Sequence, residues 1–182
     1  MINNDIQDLL KAIRLPSAEL TAEALKKLLS INATAPTGTG ILHFFIEIYK
    51  SEHLRLEDFK KLIELGANVN AQNSEGQTPL HYTALSPYSI DLARVLIENN
   101  AIIDIVNNTG NTPLRNAIMN YQGEEELIQI ILLLLNNGAD LDKPNNHGVS
   151  PKDLVLDIHE NVLDGIVEKE IDIIEHISSY LK

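Results

Sequence analysis

The sequence contains no cysteine among its 182 residues. This absence excludes disulfide bonds, thiolate nucleophiles and cysteine-based zinc sites together. A chain without thiols is compatible with either redox environment, so the absence does not select a compartment. Long apolar runs are also missing: the longest, at residues 130–135, has six residues, whereas a membrane-spanning helix needs about 18 or more. We therefore expect no membrane span.

The N-terminal segment, residues 1–20, lacks the basic start and the apolar block of a secretory signal. We therefore expect a protein that is cytoplasmic, or that is exported to a host cell without a cleavable signal peptide. We also expect it to be a monomer.

Positive charge is scarce, because 14 Lys and Arg residues face 26 Asp and Glu residues and the net charge is −12. Residues 62–182 carry the whole excess, with six basic and eighteen acidic residues. Non-specific affinity for nucleic acids rests on lysine and arginine, so this charge disfavours DNA, RNA and anionic lipid as partners. It favours a protein partner with a neutral or basic surface, approached in a salt-sensitive way.

The pattern Gly-x-Thr-Pro-Leu occurs twice, at residues 76–80 and 110–114, which are 34 residues apart. Related copies begin at Gly38 and Gly148, so the repeat glycines are spaced by 38, 34 and 38 residues. We expect a positive φ at Gly76 and Gly110. A second motif, an apolar run ending in an Asn/Asp/Gly-rich turn as in LIELGANVNAQNSEG, precedes the later copies. Two linked motifs in a fixed order indicate a repeat array.

Each copy predicts the same local structure. Thr78 and Thr112 can cap a helix through the hydroxyl oxygen, and the proline that follows suits the first helical turn. A second helix with apolar residues at helical spacing comes next. Gly66 and Gly138 would end that second helix in the left-handed conformation. A polar turn then leads to the next copy.

Over roughly residues 36–155 these motifs resemble the ankyrin-repeat family. The resemblance implies an all-α solenoid of stacked helix-turn-helix units with hairpin loops and a concave binding face. His43 and His81 match the histidine of the family's Thr-Pro-Leu-His motif, which implies hydrogen bonds between neighbouring loops and no chemistry. Arg115 and Asp153 replace that histidine in the later copies, where we expect departures from the family's ideal geometry.

We expect a single ankyrin-repeat domain over residues 1–182. Its expected parts are a degenerate N-terminal helical cap repeat at 1–35, repeats at 36–72, 73–106 and 107–144, and a C-terminal capping repeat and helix at 145–182.

The resemblance also implies a binding surface, since family members present hairpin tips and outward residues of the first helix to a partner. Tyr88 and Tyr121 stand near the links between helices and are candidate aromatic anchors. The expected partner-binding residues are Ser74, Glu75, Gln77, Leu85, Ser86, Tyr88, Asn108, Thr109, Asn111, Met119, Asn120, Tyr121, His147 and Val149.

Two patterns that could carry metal chemistry fail on spacing. A zinc helix needs His-Glu-x-x-His, but the position four residues after His159 holds leucine. A calcium loop counted from Asp140 would need glycine sixth and glutamate twelfth, where the sequence has Asn145 and Pro151. We therefore expect no catalytic residue, no metal site and no cofactor, and a small helical metal-dependent hydrolase is the weaker alternative.

The resulting hypothesis is a non-catalytic module that binds a protein through its hairpin tips and concave face, over roughly 800 Å² per partner. Two settings stay open. An Asn- and Ile-rich composition and glutamates near the C-terminus, such as Glu168 and Glu170, suit a secreted bacterial effector that acts on a host protein. The other setting is a resident cytoplasmic adaptor or inhibitor of an endogenous enzyme.

Overall fold

The computed structural model describes residues 31–32, 34–49, 55–163 and 177–181. These ranges contain no strand, which confirms the all-α fold class. Short 3-10 turns occur at Pro87–Ser89 and Ser178–Tyr180. The α-helices are α1 (Ile41–Ile48), α2 (Leu56–Glu64), α3 (Pro79–Thr83), α4 (Ile90–Glu98), α5 (Pro113–Asn120), α6 (Glu125–Asn136) and α7 (Pro151–Leu163).

The helices form two layers. Helices α1, α3, α5 and α7 contact one another in succession, and α2, α4 and α6 do the same in the second layer. Helices α1, α3 and α5 also pack on the second helices that follow them, α2, α4 and α6. The described part of the chain is therefore a stack of helix pairs, as the repeats in the sequence predict.

The first helices begin where the motif predicts. Thr78 Oγ1 accepts a hydrogen bond from His81 N at 3.4 Å, and Thr112 Oγ1 accepts one from Arg115 N at 3.2 Å. A proline follows each threonine at the first helical position, where no donor is needed. The predicted helix caps are confirmed.

The second helices end at residues in the left-handed conformation. Gly66 and Gly138 have φ angles of 95° and 86°, as predicted. Asn100 takes the equivalent place after α4 with a φ of 66°. Asparagine is the non-glycine residue that best tolerates this conformation, which explains why the chain can end α4 without glycine.

The hydrophobic core lies between the two layers and runs along the array. Phe45 and Phe59 are fully buried, and their ring centroids are 5.1 Å apart. Leu80 and Leu114, which follow the Thr-Pro pairs, are 1% and 0% exposed. The two leucines thus tie each helix start to the core, so that capping and burial specify the same position for the helix.

Three expectations from the sequence concern residues that lie wholly or mostly outside the described ranges. The N-terminal helical cap and most of the C-terminal amphipathic helix lie outside the described residues, as do the side chains of His159 and Glu160. In the part that is described, every helix is too short or too polar to cross a bilayer.

Candidate interaction surface

The hairpins between repeats are built on one asparagine each. Asn73 Oδ1 accepts hydrogen bonds from the backbone N–H groups of Glu75 and Gln77, at 3.0 and 2.9 Å. Asn107 and Asn145 make the same contacts with the residues two and four positions later. The sequence interpretation gave these asparagines no individual role, although each stands three residues before a repeat glycine.

Hydrogen bonds also join neighbouring hairpins at their tips. Asn108 N donates to Glu75 O at 2.9 Å, and Asn146 N donates to Thr109 O at 3.1 Å. In addition, the Asn108 side-chain Nδ2 donates to Ser74 O at 2.8 Å. Because each hairpin is bonded to the next, the tips present their side chains from a fixed backbone, which lowers the entropy cost of binding a partner.

The two histidines connect first helices to hairpins. His81 Nε2 lies 2.9 Å from Asn111 O, and His81 Nδ1 accepts a hydrogen bond from Thr78 N at 3.1 Å. His43 makes the equivalent contacts one repeat earlier, at 3.0 and 3.2 Å. Because Nδ1 accepts an N–H, the ring must be neutral and carry its proton on Nε2. The loop-tying role that the family resemblance implies is confirmed.

This arrangement predicts a loss of stability in acid. Burial lowers the pKa of His43 and of His81 below 6.5, so the unfolded chain binds these protons more readily than the folded one. The stabilisation is complete above about pH 6.5 and is lost as the pH falls through the folded-state pKa values. We expect the free energy of unfolding, measured with urea between about pH 8 and pH 5, to fall towards acid.

The matched control is the double variant His43→Gln and His81→Gln, which removes both titrating rings. Its stability should be lower at neutral pH but should depend less steeply on pH. A double variant with the same pH slope as the wild type would show that other groups cause the acid effect.

The predicted partner-binding residues are mostly at the surface. Leu85, Tyr88 and Met119 are 44%, 50% and 55% exposed. Four predicted residues are half-buried: Gln77, Ser86, Asn111 and Val149. The exposed ones are Ser74, Glu75, Leu85, Tyr88, Asn108, Thr109, Met119, Asn120 and His147.

Tyr121 is a correction to the predicted set. It is only 4% exposed and belongs to the core. The chain leaves the helical conformation at this residue, which follows α5 directly, and the side chain packs inward. The interpretation of Tyr121 as an aromatic anchor on the surface is therefore wrong, since a partner could reach it only by unpacking the core.

The exposed apolar residues Leu85 and Met119 occupy equivalent positions, 34 residues apart. Met119 lies in the last turn of α5, and Leu85 lies two residues after the end of α3, which contacts α5. The same position in the flanking repeats holds Glu47 and Asp157, both exposed. We call this row of four residues, together with the hairpin tips at 73–77, 107–111 and 145–149, the tip–helix surface. At its centre it is apolar, and at both ends of the row it is acidic.

Acidic residues of the polar turns accept hydrogen bonds from backbone N–H groups. Asp140 Oδ1 accepts a hydrogen bond from Asp142 N at 2.9 Å, and Asp104 Oδ2 accepts one from Asp140 N at 3.1 Å. Burial is the main reason why the pKa of Asp104 is raised. Among the described residues no group of three or more His, Asp or Glu side chains is placed to hold a metal ion.

Comparison with known proteins agrees with this architecture. The family model for ankyrin repeats (3 copies) matches residues 42–145, more than half of the chain. The chain belongs to the ankyrin-repeat family.

Its relatives are longer proteins. Over 103 residues it is 31% identical to a putative ankyrin repeat protein of Fowlpox virus (strain NVSL), covering 55% of this chain and 21% of that protein. It is 35% identical over 82 residues to a putative ankyrin repeat protein of Rickettsia felis, covering 43% of this chain and 35% of that protein. A fem-1 homolog of Drosophila melanogaster is 42% identical over 53 residues, which cover 29% of this chain and 8% of that protein. The chain thus spans about a third or less of these relatives' lengths.

Proposed function

We propose that this protein is a non-catalytic recognition module that docks another protein on the tip–helix surface. Ankyrin repeats are generally protein–protein interaction modules, and the chain belongs to that family. The observation that carries the proposal is the exposure of Leu85 and Met119 at equivalent positions of neighbouring repeats, next to hairpins that are joined by hydrogen bonds. Covering these side chains with a partner removes apolar surface from water, which favours association.

The charge of the surface favours one kind of partner. Glu47 and Asp157 flank the apolar pair, and Glu75 lies at a hairpin tip. A partner segment with apolar side chains at its centre and a neutral or basic surround complements this pattern. Association should therefore be faster at low ionic strength, because exposed charges are screened by salt. In this proposal the chain acts as a monomer.

The test is affinity capture with the purified protein, followed by binding measurements on the protein captured in stoichiometric amount. Leu85→Ala and Met119→Ala should each weaken its binding about tenfold or more, or about 1.4 kcal/mol. Ile102→Ala is the matched control, since Ile102 is 58% exposed on the turn after α4 and lies outside the tip–helix surface. A partner whose affinity drops with Ile102→Ala and not with the other two would contradict the proposal.

The source of the captured partner also distinguishes an exported effector from a resident adaptor or inhibitor. We propose an exported bacterial effector that binds a host protein, with a resident cytoplasmic adaptor or inhibitor as the alternative. A partner captured from a eukaryotic lysate supports the effector, and a partner from the lysate of the native cells supports the resident inhibitor. A translocation reporter fused to the N-terminus adds a second criterion, because an effector should enter host cells in a C-terminus-dependent way.

A further inference from the structure

Arg115 occupies the position that His43 and His81 hold in the earlier repeats. One atom of its side chain, Nε, makes the same hydrogen bond to the next hairpin as the two histidines do. Its Nε donates to Val149 O at 3.4 Å, as the histidine Nε2 atoms do to the equivalent loop carbonyls. A histidine at position 115 would therefore be enough to make this hydrogen bond between the helix and the hairpin. The terminal nitrogens of the guanidinium go beyond that role.

Those nitrogens are incompletely used. Arg115 Nη1 donates to Asn111 Oδ1 at 3.1 Å and contacts the sulfur of Met119. Within the described residues, Nη2 has no hydrogen-bond partner, and no carboxylate lies within 4.0 Å of the guanidinium. Yet the residue is only 7% exposed. The side chain is thus largely covered, but Nη2 reaches the surface and has no counterion among the described residues.

Such an arrangement costs free energy unless an anion completes it. Burial lowers the pKa of the Arg115 guanidinium, but arginine remains charged at any physiological pH. The acidic residue one repeat later, Asp153, forms no ion pair with Arg115 and instead accepts hydrogen bonds from Ser150 N and Oγ at 2.8 and 2.7 Å. Among the described residues, Nη2 is therefore open to an anion from outside the chain.

We propose that Arg115 binds a carboxylate of the docked partner. An aspartate or glutamate side chain of the partner pairs with Nη2, while an apolar side chain next to it in the partner packs on Met119. The inference rests on the proposed function and narrows the partner. The bound segment is neutral or basic along most of its length but carries one acidic residue at a fixed place beside an apolar one.

The sequence offers a matched control in its own histidines. Arg115→His retains a donor for Val149 O, as His81 shows for Asn111 O, and it removes both Nη atoms. This variant should fold, which its thermal unfolding will verify. Arg115→Lys keeps the charge but loses the planar fork, so it separates charge from geometry.

The experiment selects short random peptides, displayed as internal segments, against the wild type and against Arg115→His at neutral pH. We expect the wild type to enrich Asp or Glu beside an apolar residue, and Arg115→His not to do so. For an enriched peptide, replacing that acid by its amide should weaken wild-type binding about tenfold or more, and Arg115→His binding hardly at all.

Peptides that bind but lose equal affinity on both proteins when the acid is replaced would overturn the inference and leave the proposed function intact. Enrichment of no peptide by either protein would count against the proposed function and against this inference with it. Acid selectivity retained by Arg115→Lys would show that the charge suffices, and its loss would show that the fork is needed; both results support the assignment to position 115.

Discussion

Replacing Gly110 by alanine should destabilise the protein by about 3 kcal/mol, from left-handed strain of about 1 kcal/mol and overpacking of about 2 kcal/mol. Gly110 has a φ of 79°, and a Cβ there would lie 2.6 Å from Asn146 N. That backbone atom is held in place because it donates to Thr109 O at 3.1 Å. The clash therefore falls on the contact between consecutive hairpins, and urea unfolding followed by circular dichroism measures its cost.

Gly148→Ala is the control for this effect. Gly148 has nearly the same φ, 77°, but no heavy atom of the described residues lies within 4 Å of the added Cβ. We expect a loss of only about 1 kcal/mol from the left-handed strain. Equal losses at the two positions would mean that the neighbouring hairpin accommodates the Cβ at position 110 without cost, which would contradict the predicted clash.

Leu114→Ala should lower the free energy of unfolding by about 3 kcal/mol, within the usual range for buried leucines. Leu114 is 0% exposed and enters the core directly after the capping threonine and proline. Truncation leaves a cavity between the two helix layers that cannot close without moving α5. The same unfolding assay applies.

Ile102→Ala provides the comparison for Leu114, because its side chain is 58% exposed. Its effect on stability should stay within about 0.5 kcal/mol. If Leu114→Ala proved as mild as Ile102→Ala, the assignment of the Thr-Pro-Leu leucine to the core would be wrong.

The fold was largely predictable because its signals are local and repeated. The caps at Thr78 and Thr112 and the left-handed Gly66 and Gly138 depend on neighbours in sequence, so each copy of the motif reports them independently. Asn100 could not be assigned in the same way, since asparagine also occurs throughout the polar turns.

The candidate surface was predictable only in outline. Position within the repeat correctly indicated that Leu85 and Met119 are exposed. Tyr121 was misplaced because its burial depends on how the chain turns after α5, where repeat lengths differ. The sequence showed that Arg115 replaces a histidine, but only the packed structure shows that its charge has no carboxylate partner among the described residues.

The most direct test of the account is position-resolved photo-crosslinking in the captured complex. A photoreactive amino acid is placed at position 119, on the tip–helix surface, and in a second variant at position 102, which is equally exposed to solvent (55% and 58%). The account predicts a crosslink to the partner from position 119 and none from position 102. Crosslinks from position 102 alone would contradict it, because the partner would then bind away from the hairpin tips and the first helices.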